Sequence, residues 1–439
     1  MTEKQRWLSR YDVIIVGSGT AGGTLFSELS ILWPGLQVLL IEAGGVVKDG
    51  EDGQFWPFFL KHYRNFVLLS RSPSTVIYAG AMVGGTSVIS CGNMNRNSVL
   101  EEAFRDRGVE LSSYLGRAEK MLGVKPLASN KIIGGSKILV QASQQTGFKL
   151  LPMPKAVEAS CDGCGDCVMG CHKKAKWDVR PGIELAQSSN YHLLPNTTVR
   201  KVVFDNRGRA IGVDLGWGRK IDAPIVVLAT SGLGTPKILL NSGVKNEAIG
   251  CGLSIHPFEV TYGRKKGQTQ QKGMSMAAFC KPEEGIVISP FIDQRSQKEL
   301  ACGPAWSLQN PLPEVLGLMV KVKDPESDGR VYGNGWISYS VPPEARQRLK
   351  RGAEMAREIL LAADVDPKTI TTTSMFPRGA HPSCTAKLGK VVDSSLEVFG
   401  HRGLFISDSS AIPLSTGTPP ILTLVGLNLY LAERLSKKF

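Results

Sequence analysis

The chain has 439 residues, 42% hydrophobic and 21% charged. These proportions exclude wholesale disorder, and the length suggests two or three domains, or one large α/β unit with a satellite. The charge is 52 − 39 = +13, but Lys and Arg are scattered with no basic block or aromatic-interleaved stripe. A nucleic-acid partner is therefore not expected, and the charge would favour an acidic protein, an anionic lipid or a nucleotide. No apolar run reaches the ~18 residues of a membrane span, and MTEKQRWLSRY lacks the apolar stretch of a signal peptide, so a cytoplasmic protein is expected. Nine cysteines, four of them within 11 residues, argue against a disulfide framework. Glycine is in excess, 48 where average usage of about 7% gives roughly 31, and it clusters as tight turns around a ligand would require.

In chain order, YDVIIV at 11–16 reads as a strand buried on both faces. GSGTAG follows at Gly17–Gly22, then TLFSELSILW with helical spacing, then the strand QVLLIE ending at Glu42: one βαβ unit. Residues 73–100 read as a Gly/Ser-rich loop, and 100–150 as mostly helical, with EEAFRDRGVELSSYLGRAEKML as one amphipathic stretch. A cysteine-rich loop occupies 160–172. Strands return at TTVRKVVFD, AIGVDLG and APIVVLAT, the last opening onto a glycine turn at Ser231–Gly234 and a helix at PKILLNSG. Residues 262–345 read as a separate β-rich region, 343–363 as an amphipathic helix, and the chain ends with the strand GLFISD, a Pro/Gly loop and a helix at ILTLVGLNLYLAERL.

The glycine turn has the context of a dinucleotide site. It follows a strand, opens a helix, and an acidic residue, Glu42, lies 20 positions past Gly22. Gly17 permits the tight turn, Gly19 admits the pyrophosphate to the backbone, and Gly22 lets helix and strand pack closely. The helix N-terminus offers free N–H groups to phosphate. Glu42 would accept from the adenosine ribose and repel a 2′-phosphate.

Four ordered stretches resemble the glucose–methanol–choline (GMC) family of FAD-dependent oxidoreductases: YDVIIVGSGTAGG with VLLIEAGG, AGAMVGGTSVISCG at 79–92, APIVVLATSGLGTPKILLNSG at 223–243, and the run from His381 through VVDSSLEVFGHRGLFISDSSAIP to PPILTLVGLNLYLAERL. The resemblance implies an α/β fold, a Rossmann-like FAD-binding domain (1–100, 195–260 and 380–439) with a smaller α+β substrate/cap domain (261–379), and a helical and cysteine segment at 101–194 between its parts. It assigns Gly17, Gly19, Thr20, Ala21, Gly22, Glu42 and Ala43 to FAD. Gly84, Gly85, Thr86 and Ser87 match the loop against the isoalloxazine ring. Val199 matches a strand contact at the adenine end, and Asp408 a motif touching the pyrophosphate or ribityl chain. His381, in AHPSCT, matches the catalytic histidine, which as a free base can take a hydroxyl proton while hydride moves to flavin N5. Among the other histidines, His256 is read as structural and His172 as packing or supporting. Pro419, placed with the cofactor residues, stands where the family usually carries a second His or Asn, so that clamp on the substrate oxygen is absent or supplied elsewhere. The chain is also shorter than most relatives, in the substrate region.

Cys161, Cys164, Cys167 and Cys171 are spaced C-x2-C-x2-C-x3-C, as in bacterial ferredoxin loops, and soft sulfur suits a [4Fe–4S] cluster. Structural zinc, or disulfides and free thiols, are the alternatives. The fourth ligand would be Cys171 or a distant cysteine such as Cys91 or Cys384; Cys91 is otherwise read as a small buried residue. A flavin takes a hydride as two electrons and a cluster passes one at a time. The favoured expectation is therefore a dehydrogenase acting on an alcohol-like substrate, draining FAD through the cluster to an acidic ferredoxin-like protein or a quinone at a membrane surface. A ferredoxin-fed flavin reductase of a C=C or C=O bond, and a non-catalytic electron-transfer subunit, are the other readings.

Overall fold

A computed structural model describes residues 8–47, 67–68, 75–165, 167–168, 170–267, 273–292, 302–325, 327–373 and 377–437. The parts of the expected 73–100 loop and 262–345 β-region at 73–74, 268–272, 293–301 and 326 lie outside the described residues. The strands that build the site are β1 (Val13–Val16), β2 (Val38–Ile41), β3 (Val67–Leu68), β4 (Thr75–Ile77), β5 (Tyr191–Leu194), β6 (Lys201–Phe204), β7 (Ala210–Gly216), β8 (Arg219–Asp222) and β9 (Ile225–Leu228), followed by β10 (Phe258–Arg264), β11 (Ile286–Pro290), β12 (Val315–Val322), β13 (Thr371–Thr372), β14 (Arg378–Gly379) and β15 (Leu404–Ile406). The helices are α1 (Thr20–Leu32), α2 (Ser98–Arg105), α3 (Ser112–Met121), α4 (Gly134–Ser143), α5 (Arg180–Ala186), α6 (Ser231–Asn241), α7 (Pro343–Ala362) and α8 (Ile421–Ser436).

The first sheet is parallel throughout, in the order β15-β9-β1-β2-β5. Every residue of β1, β2 and β9 is buried, as continuous Val/Ile/Leu runs demand when helices cover both faces. Each such side chain contributes roughly 1.5–3 kcal/mol by leaving water. Helix α1 packs against α8 and α5, and α8 against α3. An antiparallel ribbon, β6-β7-β8, lies against β9.

The second sheet runs β11-β12-β10-β14-β4-β3, with β13 also on β10. It draws strands from 67–77, 258–322 and 371–379, so its pairing is assembled from three distant stretches of chain. Along β12 the sequence VLGLMVKV alternates: Leu316, Leu318, Val320 and Val322 pack in the core with α7, while Val315 and Met319 join Phe258, Val260 and Tyr262 on the opposite face. That second face carries the site.

The stretch expected as one helix over 101–122 is two, α2 and α3. Asn97 caps the first by accepting from Leu100 N, and Gly108, at φ +80°, turns the chain so that Val109 and Leu111 are buried. The expected strand at 197–205 shortens to β6, because Asn196 N and Thr197 N donate to Gly44 O and Glu42 O and hold the chain off the ribbon. Val199 is therefore buried just before a strand, not inside one. The hairpin partner β8 follows Trp217 and Gly218, at φ +56° and +74°, a primed turn whose Trp-Gly signal was not used. The expected glycine turn at Ser231–Gly234 is already helical as the start of α6: Asp408, distant in sequence, accepts from Ser231 N and supplies the cap that the local sequence lacks.

Candidate functional site

The glycine turn, β2 and the 84–87 loop meet in one cradle. Gly17 takes φ +99°, and a Cβ there would lie 2.5 Å from Ala229 O. Helix α1 begins at N-cap Gly19 with no side-chain cap, and Thr20, Ala21 and Gly22 are buried, leaving first-turn N–H groups for a ligand. Glu42 is buried; its Oε2 accepts from Ser18 N (2.9 Å) and Ser18 Oγ (2.8 Å), and its Oε1 from Gly44 N (2.8 Å). Burial pushes its carboxyl above the usual range against those donated bonds. Ser18, not singled out from the sequence, also accepts from Gly84 N (3.2 Å) and so ties the glycine turn to the 84–87 loop. Gly84 and Gly85 have φ +91° and +51°, and a Cβ on Gly85 would sit 2.8 Å from Gly19 Cα. Thr86 is exposed between buried Gly85 and Ser87, whose Oγ donates to Gly84 O (2.6 Å) and accepts from Val179 N (3.3 Å). Ala43 is exposed at the mouth of the cradle.

These features fit a dinucleotide: glycine-lined backbone, an uncapped helix start and a buried carboxylate at the ribose position. Asp408 enters it indirectly. Its Oδ1 accepts from Ser410 N (2.8 Å) and Ser410 Oγ (2.6 Å), and its Oδ2 from Ser231 N (2.8 Å) and Thr235 Oγ1 (2.6 Å). The carboxylate is fully engaged, so it positions main chain. Pro419 is buried immediately before Pro420, the N-cap of α8.

His381 lies beside a second imidazole, and His256, expected to be purely structural, supplies it. Residues 254–256 and 380–383 run antiparallel: Ser383 N donates to Ser254 O (2.9 Å), Ser254 N to Ser383 O (3.1 Å) and Ala380 N to Ile255 O (3.0 Å). That pairing sets the two Nδ1 atoms 3.2 Å apart. His256 holds φ +50°, uncommon for a side-chain-bearing residue and a strain retained at functional positions. Asp324 holds it there: this buried carboxylate accepts from Ser254 Oγ (2.6 Å), Ile255 N (2.9 Å), Tyr339 OH (2.7 Å) and Ser415 Oγ (2.8 Å).

The bond directions define the tautomers. Thr416 N donates to His256 Nε2 (3.3 Å), so neutral His256 carries its proton on Nδ1 and donates it to His381 Nδ1. His381 is left with its proton on Nε2. Burial, against the pull of Asp324, lowers His256 to about 4. Burial, with Lys321 and His256 adding to it, holds His381 well below the usual range. Both rings are therefore neutral at pH 7. Because the unfolded chain protonates first, this contribution to stability is full above pH ~6.5 and lost as pH falls toward 4, by up to about 1.4 kcal/mol per pH unit for each ring. The urea midpoint should drop more steeply between pH 7 and 4.5 in the native protein than in His256→Asn, a residue that tolerates the same backbone; equal slopes would refute the assignment.

The thiols collect at a second place. Cys161, Cys164, Cys167 and Cys171, with Cys91, line one cavity of about 20 Å³, room for about one water. All nine cysteines are free thiols in this structure. Cys384 is elsewhere, in the core of the first sheet, whereas Cys91, expected as filler, belongs to this cluster. Two buried lysines adjoin it. Lys155 Nζ donates to Cys91 O (2.7 Å), Asn93 Oδ1 (2.6 Å) and Ser275 O (3.1 Å). Lys176 Nζ donates to Ser87 O (3.0 Å) and Val88 O (2.9 Å). Burial beside Cys91 pushes the Cys167 thiol up to about 12. His172 is exposed, at odds with the expected packing role. Among the described residues no three His, Cys, Asp or Glu side chains converge as a metal site. The four thiols are the donor type of a thiolate-ligated cluster, but in this structure the cavity between them does not fit one. Among the described residues, no helix is long and apolar enough to cross a membrane.

The family model described as GMC oxidoreductase matches the chain with its N-terminal part over residues 11–258 and its C-terminal part over 325–427. The chain is 24% identical to the long-chain-alcohol oxidase FAO3 of Arabidopsis thaliana, over 99% of this chain and 69% of that protein. It is 25% identical to the uncharacterized protein MJ1450 of Methanocaldococcus jannaschii, over 95% and 98% respectively. The fold is similar to that of pyridoxine 4-oxidase from Mesorbium loti, with a TM-score of 0.75 at 16% identity, covering 97% of this chain and 99% of that one.

Proposed function

Because the chain belongs to the GMC oxidoreductase family, we propose that it is an FAD-dependent dehydrogenase that oxidises an alcohol-like CH–OH substrate. Cys161, Cys164, Cys167 and Cys171 would hold an iron–sulfur cluster, whose one-electron chemistry would give an exit toward an acidic ferredoxin-like protein or a quinone. Bound FAD would supply a two-electron hydride acceptor, and a cluster a one-electron exit. Gly17, Gly19, Glu42 and the Gly84–Ser87 loop would hold the dinucleotide. His381 would bind the substrate oxygen at Nε2, with His256 setting its tautomer and Asp324 fixing His256.

The observation that carries the electron exit is Lys176. Its buried amine lines the thiol cavity and donates to the carbonyls of Ser87 and Val88, so one residue links that cavity to the loop that would lie against the flavin. Its charge, with that of Lys155, would offset the negative charge of a thiolate cluster. Anaerobic purification with flavin, iron and sulfide assays tests this. About four irons and four sulfides per flavin are expected, with iron lost and flavin kept in Cys167→Ser. Zinc without sulfide would remove the exit.

A second reading, a flavin reductase of a C=O or C=C bond fed by ferredoxin, is favoured by one detail. With Nε2 already protonated, His381 is set to give a proton. Taking one from an alcohol requires the pair to shift and the 3.3 Å bond from Thr416 N to break, a cost of about 1 kcal/mol. That cost is small enough for the oxidative direction to stand.

A further inference from the structure

Lys321 is the one residue of β12 that breaks its apolar pattern, and the alternation places it with Val315 and Met319 on the face of the imidazole pair. It is 4% exposed. Its register partner on β10 is Phe258, whose own partner on β14 is Arg378. Lys321 Nζ lies 5.7 Å from the centre of the Phe258 ring and Arg378 Cζ 5.0 Å from it, while Tyr78 stacks on the same ring at 6.1 Å. Among the described residues no hydrogen bond or ion pair reaches Lys321 Nζ. Its register position opposite Phe258, two residues after His256, brings it toward the imidazole pair, and its charge disfavours protonation of both rings.

A lysine is almost never buried without a partner, because the desolvated ammonium is costly. Burial lowers this one to about 8 against the pull of the Cys91 thiol, and the Phe258 ring face compensates only in part. Among the described residues no carboxylate reaches the ammonium, and a ligand anion would complete the pair. We propose that the substrate of this site carries a carboxylate and that Lys321 is the specificity residue that seats it. The inference rests on the alcohol-oxidising reading for its location, and it narrows the substrate class to hydroxy acids. The carboxylate would complete an ion pair beside an aromatic wall, while His381 binds the oxygen that reacts.

The test is equilibrium binding to the oxidised FAD holoenzyme, followed by perturbation of the flavin absorption bands, with acetate, propionate and benzoate each compared with its neutral amide. At least one carboxylate should bind well ahead of its amide. Lys321→Met should weaken that carboxylate by about 30-fold or more, as expected for loss of a buried charge partner, and leave the amides unchanged. Lys321→Arg should restore most of the affinity. Flavin content and the unfolding midpoint establish that the variants are folded. Amides binding as well as carboxylates, no carboxylate binding at all, or Kd unchanged in Lys321→Met would each overturn the proposal. The assay involves no turnover. If no alcohol reduces the flavin yet carboxylates bind through Lys321, the dehydrogenase reading fails and this inference stands.

Discussion

Replacing His381 with alanine should slow substrate-driven bleaching of the flavin by about 10²–10⁴-fold, the usual contribution of a positioned acid–base group, while FAD remains bound. The expectation follows from geometry. His381 Nδ1 is occupied by His256, so Nε2 is the nitrogen left for substrate. His256→Asn should give a smaller loss and a shifted pH profile, because it removes the group that sets the tautomer and leaves the reacting nitrogen in place. Anaerobic stopped-flow mixing with substrate measures both. If His381→Ala bleaches at the native rate and still exchanges electrons with a reduced partner, the chain is an electron-transfer subunit and not an enzyme.

Replacing Gly22 with alanine should yield protein that is largely colourless and less stable by about 3 kcal/mol, the upper end of overpacking costs. A Cβ at this position would lie 1.9 Å from Gly17 O and 3.1 Å from the Ala229 side chain. Helix α1 would have to move off β1, and the N–H groups at its start would leave the phosphate position. Gly35→Ala is the control, since nothing lies within 4 Å of its Cβ; it should be neutral or slightly stabilising through the unfolded chain. Flavin stoichiometry and urea unfolding separate the two. Full FAD loading in Gly22→Ala would show that the close approach of helix and strand is dispensable.

The parallel sheet and the dinucleotide cradle were legible because their signals are local. β1, β2 and β9 are continuous apolar runs, and the close approaches at Gly17 and Gly22 admit no other residue type. The cysteine run was equally legible as a cluster of thiols, although not as a site of definite size. Ser18 was missed because a serine inside a glycine-rich turn carries no signal of its own. Its link between Glu42 and Gly84 exists only once β2 and the 84–87 loop converge.

The amino-acid sequence by itself determined the family, the Rossmann-type unit and the identity of His381 as a candidate, since each rests on residues close together in the chain. Only the tertiary structure decided that His256 is the second imidazole, that Asp324 braces it, that Cys91 joins the thiols and that Lys321 is buried opposite Phe258. His256 and His381 are 125 positions apart, and the pairing of Ser254 with Ser383 brings them together. A lysine within VLGLMVKV does mark a departure from apolar alternation. Which face it occupies, and what lies there, depends on strands contributed from distant parts of the chain, and no local pattern encodes that register.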